Sequence, residues 1–173
     1  MHRQARIFIF SLLLWAARFS PAQGLPTDGA IAPAASGPVM AQPWTLSFIP
    51  LVHHWTDSPE HRRSFIVSLE KHHDVNQLRG LALFRNSFGQ PSAYAYAAYH
   101  WHGILGEPRL SAKVSAGIMY GYTGKYEDKV PLNWNGFSPG LIPSLSYKLS
   151  QEDALQILLL GTAGFAMGYS RSF

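Results

Sequence analysis

The sequence predicts an all-β protein, an eight-stranded antiparallel transmembrane β-barrel with a flexible N-terminal arm, and three observations carry that reading. Charged residues make up 14% of the 173-residue chain, well below the roughly 25% of an ordinary soluble domain, while aromatics reach 13%. From Trp44 onward, short segments of alternating polarity recur between turns every ten to fifteen residues or so, the spacing of a sandwich or barrel. The apolar run near the N-terminus falls short of the roughly 20 residues a spanning helix needs. A surface that is poor in charge and rich in aromatics must then meet lipid through strands.

Residues 1–22 read as a cleaved export signal. Arg3 and Arg6 supply a positive start, Ile7 to Ala17 is apolar apart from Ser11, and Ser20-Pro21-Ala22 offers small residues at the cleavage spacing. Removing this segment takes away Arg3, Arg6 and Arg18 and no acid, so the formal charge falls from +4 to +1. The basicity belongs to the signal and gives no reason to expect nucleic acid as a partner. With no cysteine, the chain has no lipoprotein anchor, disulfide framework or thiolate metal site. Residues 23–43 are rich in Pro, Gly, Ala and Ser without periodicity, which predicts a flexible arm. The barrel domain then occupies 44–173.

Eight strands follow in order. The first is expected at 44–54, with Trp44, Leu46 and Phe48 opposite Thr45 and Ser47. The second is 63–71, where Phe65, Val67 and Leu69 alternate with Ser64 and Ser68; the third is 79–86 and the fourth 93–101. The fifth, 109–122, alternates almost strictly: Leu110, Ala112, Val114, Ala116, Ile118, Tyr120 and Tyr122 face away from Ser111, Lys113, Ser115 and Gly117. The sixth is 141–149, the seventh 154–160 and the eighth 164–173. One apolar and one small or polar face fit strands between lipid and a filled lumen. The stretch 154–169 is apolar enough to suggest a helix, but Gly161, Gly164 and Gly168 and its length argue for two strands.

In the last segment Phe165, Met167, Tyr169 and Phe173 share a face, the pattern of a strand that closes a barrel against the first. Arg171 interrupts that face and is expected to snorkel to the interface. An eight-stranded barrel is only wide enough for side chains or one small ligand, so a water-filled pore is not expected.

An even strand count with both ends on one side sends loops 55–63, 86–92, 123–140 and 161–164 to the opposite rim. His53, His54 and His61 meet Arg85-Asn86-Ser87 there. A hydroxyl beside an imidazole at a lipid surface is the minimum for acyl transfer, with the imidazole taking the Ser proton and nearby donors holding the oxyanion. Ser and Asn are also ordinary turn residues, so spacing alone leaves this open. Proline inside a membrane strand removes a ladder donor and marks broken pairing, which draws attention to Pro50 and Pro143.

The stretches GLALFRNSFGQPSAYAYAAYHW and LSAKVSAGIMYGYTGKYEDKVPLNWNGFSPGLIPSLSYKL, with the aromatic final strand, resemble the lipid A palmitoyltransferase family of outer-membrane β-barrels. Phe84-Arg85-Asn86-Ser87-Phe88 stands where that family has Phe-Lys-Asp-Ser-Trp. Phe48-Ile49-Pro50 leading to His53-His54 is similar to its Tyr-Ile-Pro strand leading to a catalytic His. The resemblance covers most of 46–173 through sparse identities. It implies transfer of an acyl chain from phospholipid to lipid A, a lumen pocket for that chain, and lateral lipid entry at Pro50 and Pro143. By position, Ser87 matches the family Ser and His54 its His, with His53 one residue off register and His61 a loop alternative. Arg85 is a substrate-binding candidate beside them. Asn86 replaces the family Asp. An amide cannot hold an imidazolium as a carboxylate does, although it can donate to an oxyanion. The amphipathic helix that the family places before its first strand is not visible in 23–43.

Two functions therefore stand. One is acyl transfer, with Ser87 as the acyl-handling hydroxyl, His54 as base and Asn86 as polarising donor. The other is a non-catalytic barrel for membrane structure or small-solute transport. The first reading calls for phospholipid and lipopolysaccharide, insertion by the barrel-assembly machinery, a monomer in the bacterial outer membrane, and no cofactor. Metal is not expected, because His100 with His102 and His72 with His73 lack a carboxylate to complete a ligand set. The tyrosines and tryptophans read as core and interfacial girdle. Lys125 and Lys129 sit in a loop whose default is solvation, with phosphate binding as the lesser alternative.

Overall fold

In the computed structural model, residues 43–173 are described. The expected signal at 1–22 and nearly all of the arm at 23–43 lie outside the described residues. Eight strands follow one another: β1 (Trp44–His54), β2 (Phe65–His72), β3 (Gln77–Arg85), β4 (Pro91–His102), β5 (Leu110–Tyr120), β6 (Phe137–Lys148), β7 (Asp153–Leu159) and β8 (Gly164–Ser172). Each pairs antiparallel with its neighbour, and β8 returns to β1, so the sheet is a closed barrel in sequence order. Closure pairs the first strand with the last, so neither is left as a free edge of the sheet. The seam is tied at its lower end by mutual backbone bonds between Trp44 and Phe173, with N–H to O distances of 3.1 and 2.9 Å.

Alternation decides which residues meet lipid. Leu46, Phe48, Leu69, Leu81, Leu145 and Ile157 are among the large apolar side chains left exposed on the outer wall, whereas Thr45, Ser47, Ser68, Ser115, Ser144 and Gln156 are buried inside. This is the reverse of a soluble domain and the pattern of a barrel whose solvent is hydrocarbon. Aromatics gather toward both ends of the outer wall: Tyr99, Trp101 and Tyr147 low, Phe65, Tyr120 and Phe137 high. Arg171 stays on that wall beside the β6–β7 turn, where Glu152 accepts its guanidinium at 2.6 Å, so the interrupting charge is paired at the rim.

The strand expected to start at 141 begins at Phe137 instead. Pro139 reads as a breaker in sequence, but the upper half of β6 has a partner on one side only. Its pairing with β5 runs from Tyr120↔Phe137 to Leu110↔Tyr147, whereas its pairing with β7 begins at Ser144↔Leu158. A strand open on one side tolerates proline. The segment 154–169 is strand, turn and strand, with the turn closed by Leu160 N–H to Gly164 O at 2.9 Å.

β1 carries the other irregularity. Its pairing with β2 stops at Ile49↔Ile66. On the β8 side, Phe48↔Tyr169 is followed by Leu51↔Met167, so β1 spends three steps against two on its partner. That is a β-bulge, and it falls at Pro50. Gly168 faces it: a Cβ there would lie 2.4 Å from the Phe48 carbonyl oxygen, so only glycine lets the bulged backbone approach.

Candidate functional site

The bulge selects which histidine turns inward. Below it Thr45, Ser47 and Ile49 face the lumen, and above it Val52 and His54 do. Strict alternation would have brought His53 inside. Instead His53 stays exposed against Trp55 and Phe165, with ring centroids 6.0 and 5.1 Å away. His54 Nε2 lies 2.6 Å from Ser87 Oγ. With the ring proton on Nδ1, the Ser87 hydroxyl donates to Nε2, the arrangement a general base requires.

Ser87 is held by the tight turn that joins β3 to β4. Asn86 Oδ1 accepts the backbone N–H groups of Phe88 and Gln90, each at 3.0 Å, while its Nδ2 donates to Gly121 O at 3.0 Å and Gln90 Oε1 at 3.3 Å. Every polar atom of this side chain is thus committed to the turn, and Asn86 is 1% exposed. It pins the serine in place and has no hydrogen bond to His54. Gln90 extends the same network by donating Nε2 to Thr123 O and Oγ1, each at 3.1 Å.

The third histidine folds over the pair. Arg62 N–H donates to Ser87 O at 2.7 Å, which brings the β1–β2 loop across the rim. His61 then stacks on His54 with centroids 4.1 Å apart and meets the Phe88 ring edge at 5.7 Å. Phe88 in turn stacks on Tyr126 of the β5–β6 loop at 4.3 Å. Lys125 Nζ donates to Glu60 Oε1 at 3.1 Å and Lys129 Nζ lies 3.6 Å from Asp128 Oδ2, so both loop lysines already have anionic neighbours. Hydrogen bonding to Tyr126 and to Glu60 raises the Lys125 ammonium above its ordinary range.

Beneath the pair lies a cavity of about 530 Å³ that includes His54, Ser87 and His61 at its mouth and Ile49, Ile66, Phe84 and Met119 on its walls. Tyr122, expected on the outer face of the fifth strand, lies just above the end of β5 and lines the cavity instead, where burial pushes its phenol up and keeps it neutral. The cavity reaches the upper half of β6, which lacks a partner on its β7 side, since Pro139 and Leu141 line it although both are exposed on the outer wall. It also touches Ile66, in the last β1–β2 pair, and Val52, above the point where that pairing stops. Two seams in the upper barrel therefore lie between the lumen and the lipid-facing surface.

The sequence-predicted residues fall as follows. His54, Ser87 and Asn86 come together at one rim. Pro50 and Pro143 sit on the outer wall at the two seams, Pro143 being the last β6 residue before β7 pairing begins. Arg85 ends β3 with its side chain exposed and away from the lumen, while its carbonyl accepts the Ser64 hydroxyl at 2.5 Å. Sequence reasoning missed Gln90 and Pro139. A Pro91 entry to β4 beside Asn-Ser-Phe-Gly marked a turn at Gln90, but nothing local tied it to Thr123. Pro139 and Pro143 at i and i+4 on one strand face were the signal for the second seam. Among the described residues, no group of three or more His, Asp or Glu side chains is placed to hold a metal ion.

The fold and its inverted polarity define an eight-stranded β-barrel of the membrane-embedded kind. No family model matches the chain, and no curated protein does. Among solved structures it is similar to one described as "De novo design of transmembrane beta-barrels", with a TM-score of 0.56 and 12% identity over 78% of this chain and 98% of that one. At that identity the likeness is one of fold.

Proposed function

We propose that this protein is an outer-membrane acyltransferase that moves an acyl chain from a phospholipid to lipid A. The observation that carries the reading is the His54–Ser87 pair, 2.6 Å apart at the mouth of a lumen cavity that reaches the outer wall. In this reading His54 Nε2 takes the Ser87 proton as Oγ attacks the ester carbonyl of the donor. The carbon–oxygen bond to glycerol breaks, and the leaving alkoxide receives that proton from His54. A hydroxyl of the acceptor then gives its proton to His54, attacks the acyl-serine, and Oγ leaves with the proton returned. No cofactor enters the scheme. The seams at Pro50 and at Pro139 to Pro143 serve as lateral entries, where missing strand pairing lowers the cost of separating the wall.

A second reading is a non-catalytic barrel for membrane structure or small-solute transport. Asn86 favours it, because the position where the resembling family has a carboxylate is here an amide fully spent on a turn. Mass spectrometry of lipid A from cells with the protein, without it, and with Ser87→Ala separates the two. The enzymatic reading expects an added acyl mass that is lost in the variant. An unchanged lipid A profile, with the barrel folded in the outer membrane, overturns it.

A further inference from the structure

The lower end of the cavity differs in kind from its walls. From Ser64, just before β2, the inward side chains descend through Ile66 and Ser68 to Glu70, and all four line the cavity. The six-residue step from Ser64 to Glu70 spans about 20 Å of strand. At that depth Glu70 is 3% exposed. It accepts the Tyr96 hydroxyl at 2.7 Å and Lys113 Nζ at 2.5 Å, and both donors use the same oxygen, Oε1. Oε2 receives no hydrogen bond from any described residue. It is also not sealed in, unlike the orphaned ring nitrogens of His100 just below. Lys113 likewise has N–H groups beyond the one it gives to Glu70, and it too lines the cavity.

We infer that the lumen takes a linear aliphatic chain whose far end carries a hydroxyl, which donates to Glu70 Oε2 and accepts from Lys113 Nζ. The inference rests on reading the cavity as the acyl site proposed above, and it names the chain that site prefers. A terminal methyl at this depth displaces water from a carboxylate oxygen and an ammonium hydrogen and replaces neither bond. A terminal carboxylate sets a second negative charge beside Oε2. A hydroxyl is both donor and acceptor, so it satisfies both groups at once.

Binding tests this without requiring turnover. Decanol, dodecanol and tetradecanol, each against its α,ω-diol, are titrated into the Ser87→Ala protein in lipid nanodiscs. The readout is displacement of a fluorescent fatty acid, corrected for partitioning into protein-free discs. One diol is expected to bind about tenfold more tightly than its alkanol, the scale of a hydrogen bond to a charged group. The paired variant Glu70→Leu with Lys113→Met removes both charges together, and the ratio should fall to about one. Equal or tighter binding of every alkanol, or no displacement by any chain from a folded barrel, overturns the inference. So does a ratio that survives in a folded paired variant. Should that variant not fold, the ratio in the parent barrel decides. Acyl transfer is assayed separately on the unmutated protein, so lost transfer with a retained diol preference counts against catalysis alone.

Discussion

His54 and Ser87 stand 33 positions apart in the chain, yet Nε2 and Oγ meet at 2.6 Å at the rim of the barrel. The contact depends on two local irregularities: a bulge at Pro50 that turns His54 inward, and a turn pinned by Asn86 that lifts Ser87 to the same height.

If this pair is the acyl-transfer centre, Ser87→Ala and His54→Gln should each lower transfer by about a hundredfold or more, the usual worth of a nucleophile or base. His53→Gln should leave it unchanged, because that ring packs outside on Trp55 and Phe165. Lipid A mass spectrometry reads the transfer, and heat-modifiable gel migration shows that each barrel is folded.

The phase set by the bulge can be checked without any activity. The chain has no cysteine, so His53→Cys and His54→Cys each supply a single labelling site. A fluorophore at position 53 should be quenched by lipids carrying a spin label on the acyl chain, and one at 54 should be shielded. Deleting Pro50 should preserve that contrast, since Val52 and His54 then continue the phase of Ile49 directly. A reversal on deletion would show that the bulge does not set the phase.

A carboxylate at position 86 should damage the turn rather than improve the chemistry. Asn86→Asp loses the donors to Gly121 O and Gln90 Oε1 and sets a carboxylate against that buried carbonyl. We expect a loss of about 1–3 kcal/mol in urea unfolding from lipid vesicles and no gain in transfer. A faster enzyme of unchanged stability would contradict this account of Asn86.

Tyr96 lies over β3 with its ring on its cross-strand partner Gly80, where an added Cβ would be 2.4 Å from the ring carbon bearing the hydroxyl. Gly80→Ala must push that ring and its bond to Glu70 aside, at about 1–3 kcal/mol. Adding Tyr96→Leu should recover part of the loss. Equilibrium unfolding of the single and paired variants measures both effects.

Hydrocarbon contact is tested at Leu81, exposed at mid-height on β3. Leu81→Arg should cost about 2–4 kcal/mol of folding stability in a bilayer. Little change would mean that this face meets water. Arg171 is tolerated on the same wall because it lies low, beside Glu152.

The sequence by itself determined the architecture. Strand alternation has period two, so each segment declares its lipid and lumen faces locally, and the local pattern alone places β1 from Trp44 to His54. It also singled out Ser87 and a neighbourhood of three histidines. What only the tertiary structure decided was which histidine reaches the serine, what Asn86 does, and where the wall is open. Those depend on pairing across strands. The Pro50 bulge is visible only as a register mismatch between β1 and β8. Asn86 is defined by Gly121 and Gln90, and the β6 seam by partners that β7 fails to supply. The polar floor arises in the same way, since Glu70, Tyr96 and Lys113 lie on three strands and become one cluster only when β2 to β5 pair side by side.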